Sequence, residues 1–486
     1  MNRIWRWFQP GLGLKRWLLL FAAGIALLGL SVSVVLEQGR LFARLEGALT
    51  RWATARGPVP SGLVAGLLAL AGVGLAAASV YGLVRSVLET LNPGERGMAE
   101  KFYRRRQLFR GPRVVAIGGG TGLPAVLRGL KEYTANLTAI VTVADDGGSS
   151  GRLRSEFGIL PPGDIRNCLV ALADTEPLME RLFQHRFEQG EGLSGHSFGN
   201  LFILAMTEAT GDFYEAVRAS SQVLAVRGRV IPSTLDDVRL HAELADGRVV
   251  AGESAIARAG GAVRRVFLDP PDAAPVADAL QAIAEADAIV LGPGSLYTSI
   301  LPNLLVPGIA EAIRRSPAVK IYVCNVMTQP GETDAYTAAD HVRAILAHAG
   351  QGLIDWVVVN TAPVPAHVEQ RYATQGARPV PVDVAEIERL GVQVVRADVA
   401  DTDADLVRHH PGRLATVIAR LMLVHPSRAD RPPWDQLWLR QRLREQERLL
   451  ARRAGEAAPA PTRSGAPAGG GPQPEAAPGA ARRDRP

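Results

Sequence analysis

The chain has almost no cysteine: Cys168 and Cys324 are the only two in 486 residues. Two thiols so far apart argue against a disulfide framework and a zinc site, and fit a reducing compartment. Aromatic residues are few, at 6%. They do not interleave with basic residues as an RNA-binding surface requires, so no nucleic-acid partner is expected. Several catalytic signatures are also missing. No Walker lysine follows the first glycine cluster, and no Gly-x-Gly-x-x-Gly is completed there. No Gly-x-Ser-x-Gly elbow surrounds His196, and no Ser/His/acid set of hydrolase type is visible. The net charge is only +6, but the basic residues cluster. Arg104–Arg106 follow an apolar segment, and Arg440, Arg442, Arg444, Arg448, Arg452 and Arg453 sit near the C-terminus. Basic residues beside an apolar segment report topology and anionic lipid.

What is present begins with two uncharged runs, Trp17–Leu36 and Ser61–Val84. Each is long enough to cross a hydrocarbon core of about 30 Å at about 1.5 Å per residue. The first is too long for a signal-peptide core and lacks a clear cleavage site. The pattern predicts a two-span hairpin: a cytoplasmic N-terminus (1–16), spans at 17–36 and 61–84, and an external loop (37–60). A basic juxtamembrane linker follows (85–110). Arg3, Arg6, Lys15 and Arg16 precede the first span, and Arg85, Arg96, Lys101 and Arg104–Arg106 follow the second. That bias puts both termini and the main domain in the cytoplasm, with membrane lipid as a partner. Leu41, Phe42, Leu45, Leu49 and Trp52 give the loop an amphipathic pattern suited to the outer surface. Gly62, Gly66, Ala69 and Gly72–Gly74 would allow close helix packing.

From about 111 to 425 apolar strand-like runs alternate with helical stretches. Val114–Ile117, Ala139–Val143, Ala288–Leu291, Lys320–Val323, Trp356–Val359 and Gln393–Val395 read as buried strands. Leu123–Lys131, Ile165–Leu172, Asn200–Thr207 and Ala338–His348 read as helices. The fold class is α/β, a Rossmann-like doubly wound and mostly parallel sheet. Leu235–Val250 instead predicts an antiparallel hairpin turning at Asp246-Gly247. A charged helical stretch (426–453) follows the domain, and an Ala/Pro/Gly-rich tail (454–486) has the composition of disorder.

Five motifs carry candidate chemistry. Gly118, Gly119, Gly120, Thr121 and Gly122 follow the first strand and open a helix, which suits an oxyanion. Asp145 and Asp146, with Ser149 and Ser150 after them, could hold a ribose, a base edge or a cation, the serine stretch forming an anion nest. Asp164 stands where it could cap a helix or meet a ligand, with Arg166 and Asn167 in reach of phosphate. His196 and Asn200 lie in a glycine-flanked run, His196 fit for binding or acid-base work. Gly292, Gly294, Ser295 and Thr298 form a second phosphate-type loop after Ala288–Leu291. Two such loops suggest a ligand with a diphosphate.

Six motifs in order resemble the YvcK-type gluconeogenesis factor family of the CofD-like superfamily. They are Ile117–Leu123, Val143–Leu153, Pro162–Asn167, Gly195–Asn200, Leu291–Ile300 and Cys324–Thr333, and the resemblance spans about 113–424. It implies a Rossmann-like fold that binds UDP-sugars, notably UDP-N-acetylglucosamine. It also implies roles in cell shape, cell-wall precursor supply and gluconeogenic growth, with cell-envelope synthesis proteins as partners. Carried onto this chain, Gly119, Gly120 and Thr121 would hold the diphosphate, Asp145 and Asp146 would meet the ligand, and Gly294, Ser295 and Asn303 would close the far side. Asn325, in the last motif, joins the ligand-binding set. No cofactor is required on this reading, no catalytic residue is assigned, and an oligomer is allowed.

The CofD branch supplies the alternative, a 2-phospho-L-lactate transferase with Mg2+ on Asp145 or Asp146. A nicotinamide oxidoreductase lacks its third glycine, because Leu123 stands in that place. A scaffold acting through the tail and charged helix is compatible with the sensor reading. Typical family members are soluble, so the hairpin is expected to be a departure.

Overall fold

The computed structural model describes residues 14–36, 61–91, 106–174, 177–402, 406–425 and 433–457. The chain divides into two compact units, Met1–Arg106 and Gln107–Pro486. The amphipathic loop read at 37–60, most of the basic linker and the tail from 458 onward lie outside the described residues.

The first unit is a pair of helices, α1 (Leu14–Leu36) and α2 (Ser61–Leu91). Arg16–Val34 and Gly62–Val84 are long and apolar enough to cross a membrane. Helix α2 runs on past Val84, the end of its apolar run. The two helices meet at glycine: a Cβ on Gly72 would stand 2.9 Å from the Gly24 carbonyl oxygen. Gly62, Gly66 and Gly74 face open space instead. Of the small residues read as a packing stripe, Gly72 therefore makes the close approach. Ser31 Oγ donates to the Ala65 carbonyl at 2.8 Å. The outer faces are apolar, with Leu19 and Leu70 72% and 74% exposed.

The second unit is built on a sheet. Its strands in chain order are β1 (Val114–Gly118), β2 (Leu137–Val141) and β3 (Arg229–Pro232), then β4 (Arg239–Leu244), β5 (Val249–Ala251) and β6 (Val263–Asp269). Then come β7 (Ala288–Leu291), β8 (Val319–Val323), β9 (Trp356–Asn360) and β10 (Gln393–Ala397), and two short strands, β11 (Ala400–Asp401) and β12 (Arg408–His409), that pair antiparallel with each other. Seven form one sheet in the order β10-β9-β8-β7-β1-β2-β3, and every pairing in it is parallel. Val114–Ile117 and Ala288–Leu291 are all but solvent-free, as strands covered on both faces must be. Strand β3 escapes sequence reading because Arg-Val-Ile-Pro is short and ends in proline. Strands β4 and β5 form the expected hairpin, and β6 adds a third antiparallel strand that was not foreseen. Strand β2 pairs two residues earlier than its hydrophobicity suggests: Thr142 makes the last bond to β1, and Val143 and Ala144 leave the ladder before the aspartates.

The helices that matter for the site are α3 (Leu123–Leu130), α4 (Gly148–Phe157), α5 (Gly163–Leu172), α6 (Phe198–Thr210) and α7 (Glu253–Arg258). Two more close the chain, α8 (Pro411–Val424) and α9 (Pro433–Ala457). Pro124 in its first turn starts α3, and Leu123, Val126, Leu127 and Leu130 form one wholly buried stripe at helical spacing. The charged helix α9 packs on the α/β unit. Leu439 is fully buried, Trp438 Nε1 donates to Gln107 Oε1 at 2.9 Å, and Arg442 Nε donates to the Glu132 carbonyl at 2.8 Å.

Candidate functional site

The chain lays β2 and β3 on one side of β1, then returns to place β7 on the other side. That reversal opens a crevice beyond the carboxyl ends of β1 and β7, where open α/β sheets bind ligands. Each of these two strands ends in a glycine loop. Gly120 follows β1 with φ +63°, a conformation that glycine adopts without a Cβ penalty. Gly122 touches the opposite loop: a Cβ there would lie 2.3 Å from the Pro293 carbonyl oxygen. The two phosphate-type loops are thus in backbone contact.

Side chains hold the loops in register. Asn325 clamps Gly294 on both sides, accepting from its N–H at 3.2 Å and donating to its carbonyl at 2.8 Å. Gln329 Nε2 donates to Ser295 Oγ at 2.6 Å. Asn303 is fully buried and donates to the Gly118 carbonyl at 3.1 Å and to the Ser299 carbonyl at 2.8 Å. It pins the first loop from beneath, and its Oδ1 has no hydrogen-bond partner among the described residues. Thr298 is likewise buried and donates to Glu332 Oε1 at 3.3 Å.

Between the loops lies a cleft of about 470 Å³. Of the residues read from sequence it gathers Gly120, Thr121, Gly122, Gly294, Ser295 and Asn325. It adds Arg128, Gln329, Tyr372, Arg408 and His409, which the motif reading missed. Gln329 stood inside the Cys324–Thr333 motif and was open to notice. Arg408 and His409 carry no local signal, because only the fold brings them near residue 120. Burial lowers His409 to about 4, so its ring is neutral, and Nε2 lies 3.1 Å from the Cys324 carbonyl. The positive wall of the cleft therefore rests on Arg128 and Arg408. A cavity of similar volume, about 490 Å³, lies at the opposite sheet edge against Trp356 and Val392, away from both loops.

The remaining sequence-read residues form an interior network. Ser149 Oγ lies 2.9 Å from His196 Nδ1 and accepts from Asn200 Nδ2 at 3.0 Å. Arg166 bonds Ser197 Oγ and, at 2.8 Å, Asn167 Oδ1. These contacts tie α4, α5 and α6 together. Ser149 and Ser150 are buried in the first turn of α4 and do not form a loose anion nest. Burial first, then Arg152, lowers His196 and keeps its imidazole neutral. None of these residues lines the cleft.

The carboxylates part company. Asp164 does not cap its own helix. It sits inside the first turn of α5, and its Oδ2 accepts from the Gly120 N–H at 2.7 Å. Asp145 Oδ1 accepts from Gly147 N–H at 2.8 Å, whereas Asp146 Oδ1 reaches Ser254 N–H at 2.9 Å. The adjacent aspartates thus brace different elements. Among the described residues no group of three His, Cys, Asp or Glu has the arrangement to hold a metal ion. Asp145 and Asp146, the carboxylates expected to meet Mg2+ under the transferase reading, belong to no such group. Glu253 and Glu332 join this acidic side of the loops, each with a buried oxygen that lacks a hydrogen-bond partner among the described residues. Burial raises Asp164 to about 6, Glu332 to about 7 and Glu253 to about 9, with Asp145 and Asp164 pushing Glu253 further.

The profile of the family described as 2-phospho-L-lactate transferase CofD matches residues 114–400. The protein of Bacillus subtilis named Gluconeogenesis factor is 53% identical over 311 residues, covering 64% of this chain and 98% of its own. The chain belongs to the CofD-like gluconeogenesis-factor family. The crystal structure of a Bacillus halodurans protein superposes with a TM-score of 0.63 at 54% identity, covering 63% of this chain and 99% of that one. A gluconeogenesis-factor relative from Nostoc sp. is 50% identical over 423 residues, covering 86% of this chain and 93% of its own. That is more of the chain than Gln107–Pro486 contains. The match therefore reaches into the helical unit, and the hairpin region of this family member is not a departure private to one chain.

Proposed function

We propose that this gluconeogenesis-factor relative is a membrane-tethered sensor that binds a UDP-sugar, UDP-N-acetylglucosamine, in the cleft between the two glycine loops. The observation that carries the reading is the contact of Gly122 with Pro293 at the β1/β7 switch point. It sets two glycine loops side by side, which supports a diphosphate meeting the N–H groups that Asp164 and Asn325 do not already hold. Arg128 and Arg408 supply countercharge, and Tyr372 offers an aromatic face for a base. No nucleophile paired with a base lines the cleft among the described residues, which favours holding over turnover. Held by its hairpin, the α/β unit faces the cytoplasm and regulates cell shape, cell-wall precursor supply and growth on gluconeogenic carbon. Titration calorimetry of the full chain with UDP-N-acetylglucosamine tests this. Saturable heat is expected, and its absence with every UDP-sugar refutes the reading.

The family profile, described as 2-phospho-L-lactate transferase CofD, favours one alternative, phospholactyl transfer, for which the acceptor we propose is a deazaflavin precursor. Incubation with that acceptor and an activated phospholactate donor decides. A coupled product would establish catalysis, and its absence alongside UDP-sugar binding leaves the sensor.

A further inference from the structure

Helix α9 has two faces of opposite character. Its inner face is docked: Leu439 is fully buried, Leu450 lies 3.2 Å from where a Cβ on Gly412 would be, and Trp438 bonds Gln107. Among the described side chains of the helix, two acids are engaged on its flanks. Glu447 accepts from Arg420 at 2.7 Å, and Glu445 pairs with Arg442 at 3.0 Å. Arg442 itself turns inward to Glu132 at 3.1 Å.

The outer face carries Arg440, Arg444, Arg448 and Arg452, all exposed. Their spacing of four residues turns about 40° per step, so the stripe covers about 120° of the helix and runs about 18 Å. Among the described residues none of the four has an ion-pair partner. Leu437, 63% exposed, sits at the N-terminal end of the same face. Four cations in a row on an exposed helix face make a strip of positive potential suited to an anionic surface.

We infer that the outer face of α9 lies on an anionic lipid surface and fixes how the α/β unit faces the membrane. The inference rests on the hairpin being membrane-inserted. Chain connectivity favours lipid over a soluble polyanion. Fifteen residues separate Leu91, the end of α2, from Gln107, the residue that Trp438 grips. Fully extended, that linker reaches about 55 Å. Tethering at this range makes headgroup contact an intramolecular event at high effective concentration. Arg104, Arg105 and Arg106 lie in the same linker and add basic charge to the same surface.

The test uses the full chain in vesicles. Cys168 and Cys324 are buried, so a fluorophore on Gln441→Cys reports from beside the stripe. Its quenching by headgroup-labelled lipid is read in phosphatidylcholine vesicles with and without 30% phosphatidylglycerol. Strong quenching is expected only with phosphatidylglycerol, fading with added salt as Debye screening shortens. R440Q/R444Q/R448Q/R452Q is expected to cut it by more than about fivefold, and the matching all-lysine variant to retain it, because lipid attraction needs charge rather than guanidinium geometry. These exposed positions leave the inner face intact, and an unchanged melting curve confirms folding. Equal quenching in neutral and anionic vesicles, or an unaffected glutamine variant, overturns the inference. So does competition by RNA that strips the helix from phosphatidylglycerol, which would mark a nucleic-acid surface. Flotation with neutral vesicles separately reads the anchoring: a chain that fails to float refutes the hairpin reading and this inference with it.

Discussion

At the scale of single residues, the site is governed by which polar groups are already engaged. The Gly120 N–H is held by Asp164, so Thr121, exposed at the cleft wall, is the loop's available side-chain donor. Thr121→Val should weaken UDP-N-acetylglucosamine binding by about 1–3 kcal/mol in calorimetry, the usual cost of leaving a ligand oxygen unpaired. The acidic side of the loops makes a pH prediction. Glu253 is raised from 4.5 to about 9, by burial above all, so the folded state holds its proton more tightly than the unfolded chain. Its contribution is intact below pH 4.5 and is lost as pH climbs toward 9. Glu253→Gln should therefore leave stability near pH 5 almost unchanged. At pH 9 it should stabilise by about 1–3 kcal/mol, read as a difference between urea melts at the two pH values. A variant destabilised at pH 9 would refute this reading of the Glu253 carboxyl.

At the scale of elements, the cleft depends on two loops touching. Gly122→Ala puts a methyl against the Pro293 carbonyl, and carbonyl backbone cannot swing aside as a side chain can. The variant should lose UDP-sugar binding at least about tenfold and melt lower by about 1–3 kcal/mol, from overpacking. Ala125, in α3 along the same cleft, is the contrast: Ala125→Ser should bind within about threefold of the parent, because it meets no opposing backbone. Helix α9 depends on one buried anchor. Leu439→Ala should cost about 2–4 kcal/mol and expose the arginine-rich helix, so limited trypsin digestion cuts within 440–453 sooner than in the parent.

At the scale of the whole molecule, a helical hairpin and a nucleotide-type α/β unit share one chain. Removing residues 1–91 should release the α/β unit from sedimenting membranes while leaving its cleft residues, all beyond Gly111, in place. A truncated chain that still sediments at high salt would place the anchor elsewhere. Much of this layout was legible in sequence, for physical reasons that differ between regions. A helix apolar enough to cross a membrane must be long and uncharged, so the two that the structure contains are legible as plain runs. Parallel strands are buried on both faces, so six of the seven read as plain apolar runs. Strand β3 did not, because four residues ending in proline give no periodicity to read.

The sequence by itself determined the membrane-type helices, the α/β class, the glycine loops and the family. These properties reside in neighbouring residues: hydrophobic runs, turn chemistry and motif order. Only the tertiary structure decided which motif residues meet. Sheet order put β1 beside β7, though more than 160 residues separate them. That adjacency joined two loops into one cleft and brought in Arg408 and His409. It also placed Ser149, His196, Asn200 and Asn303 in buried hydrogen bonds, leaving the Asn200 and Asn303 side-chain oxygens without a partner among the described residues. A motif fixes which groups are present at a strand end, but burial and hydrogen bonding, set by the packing of distant elements, fix which of them still have a bond to offer a ligand.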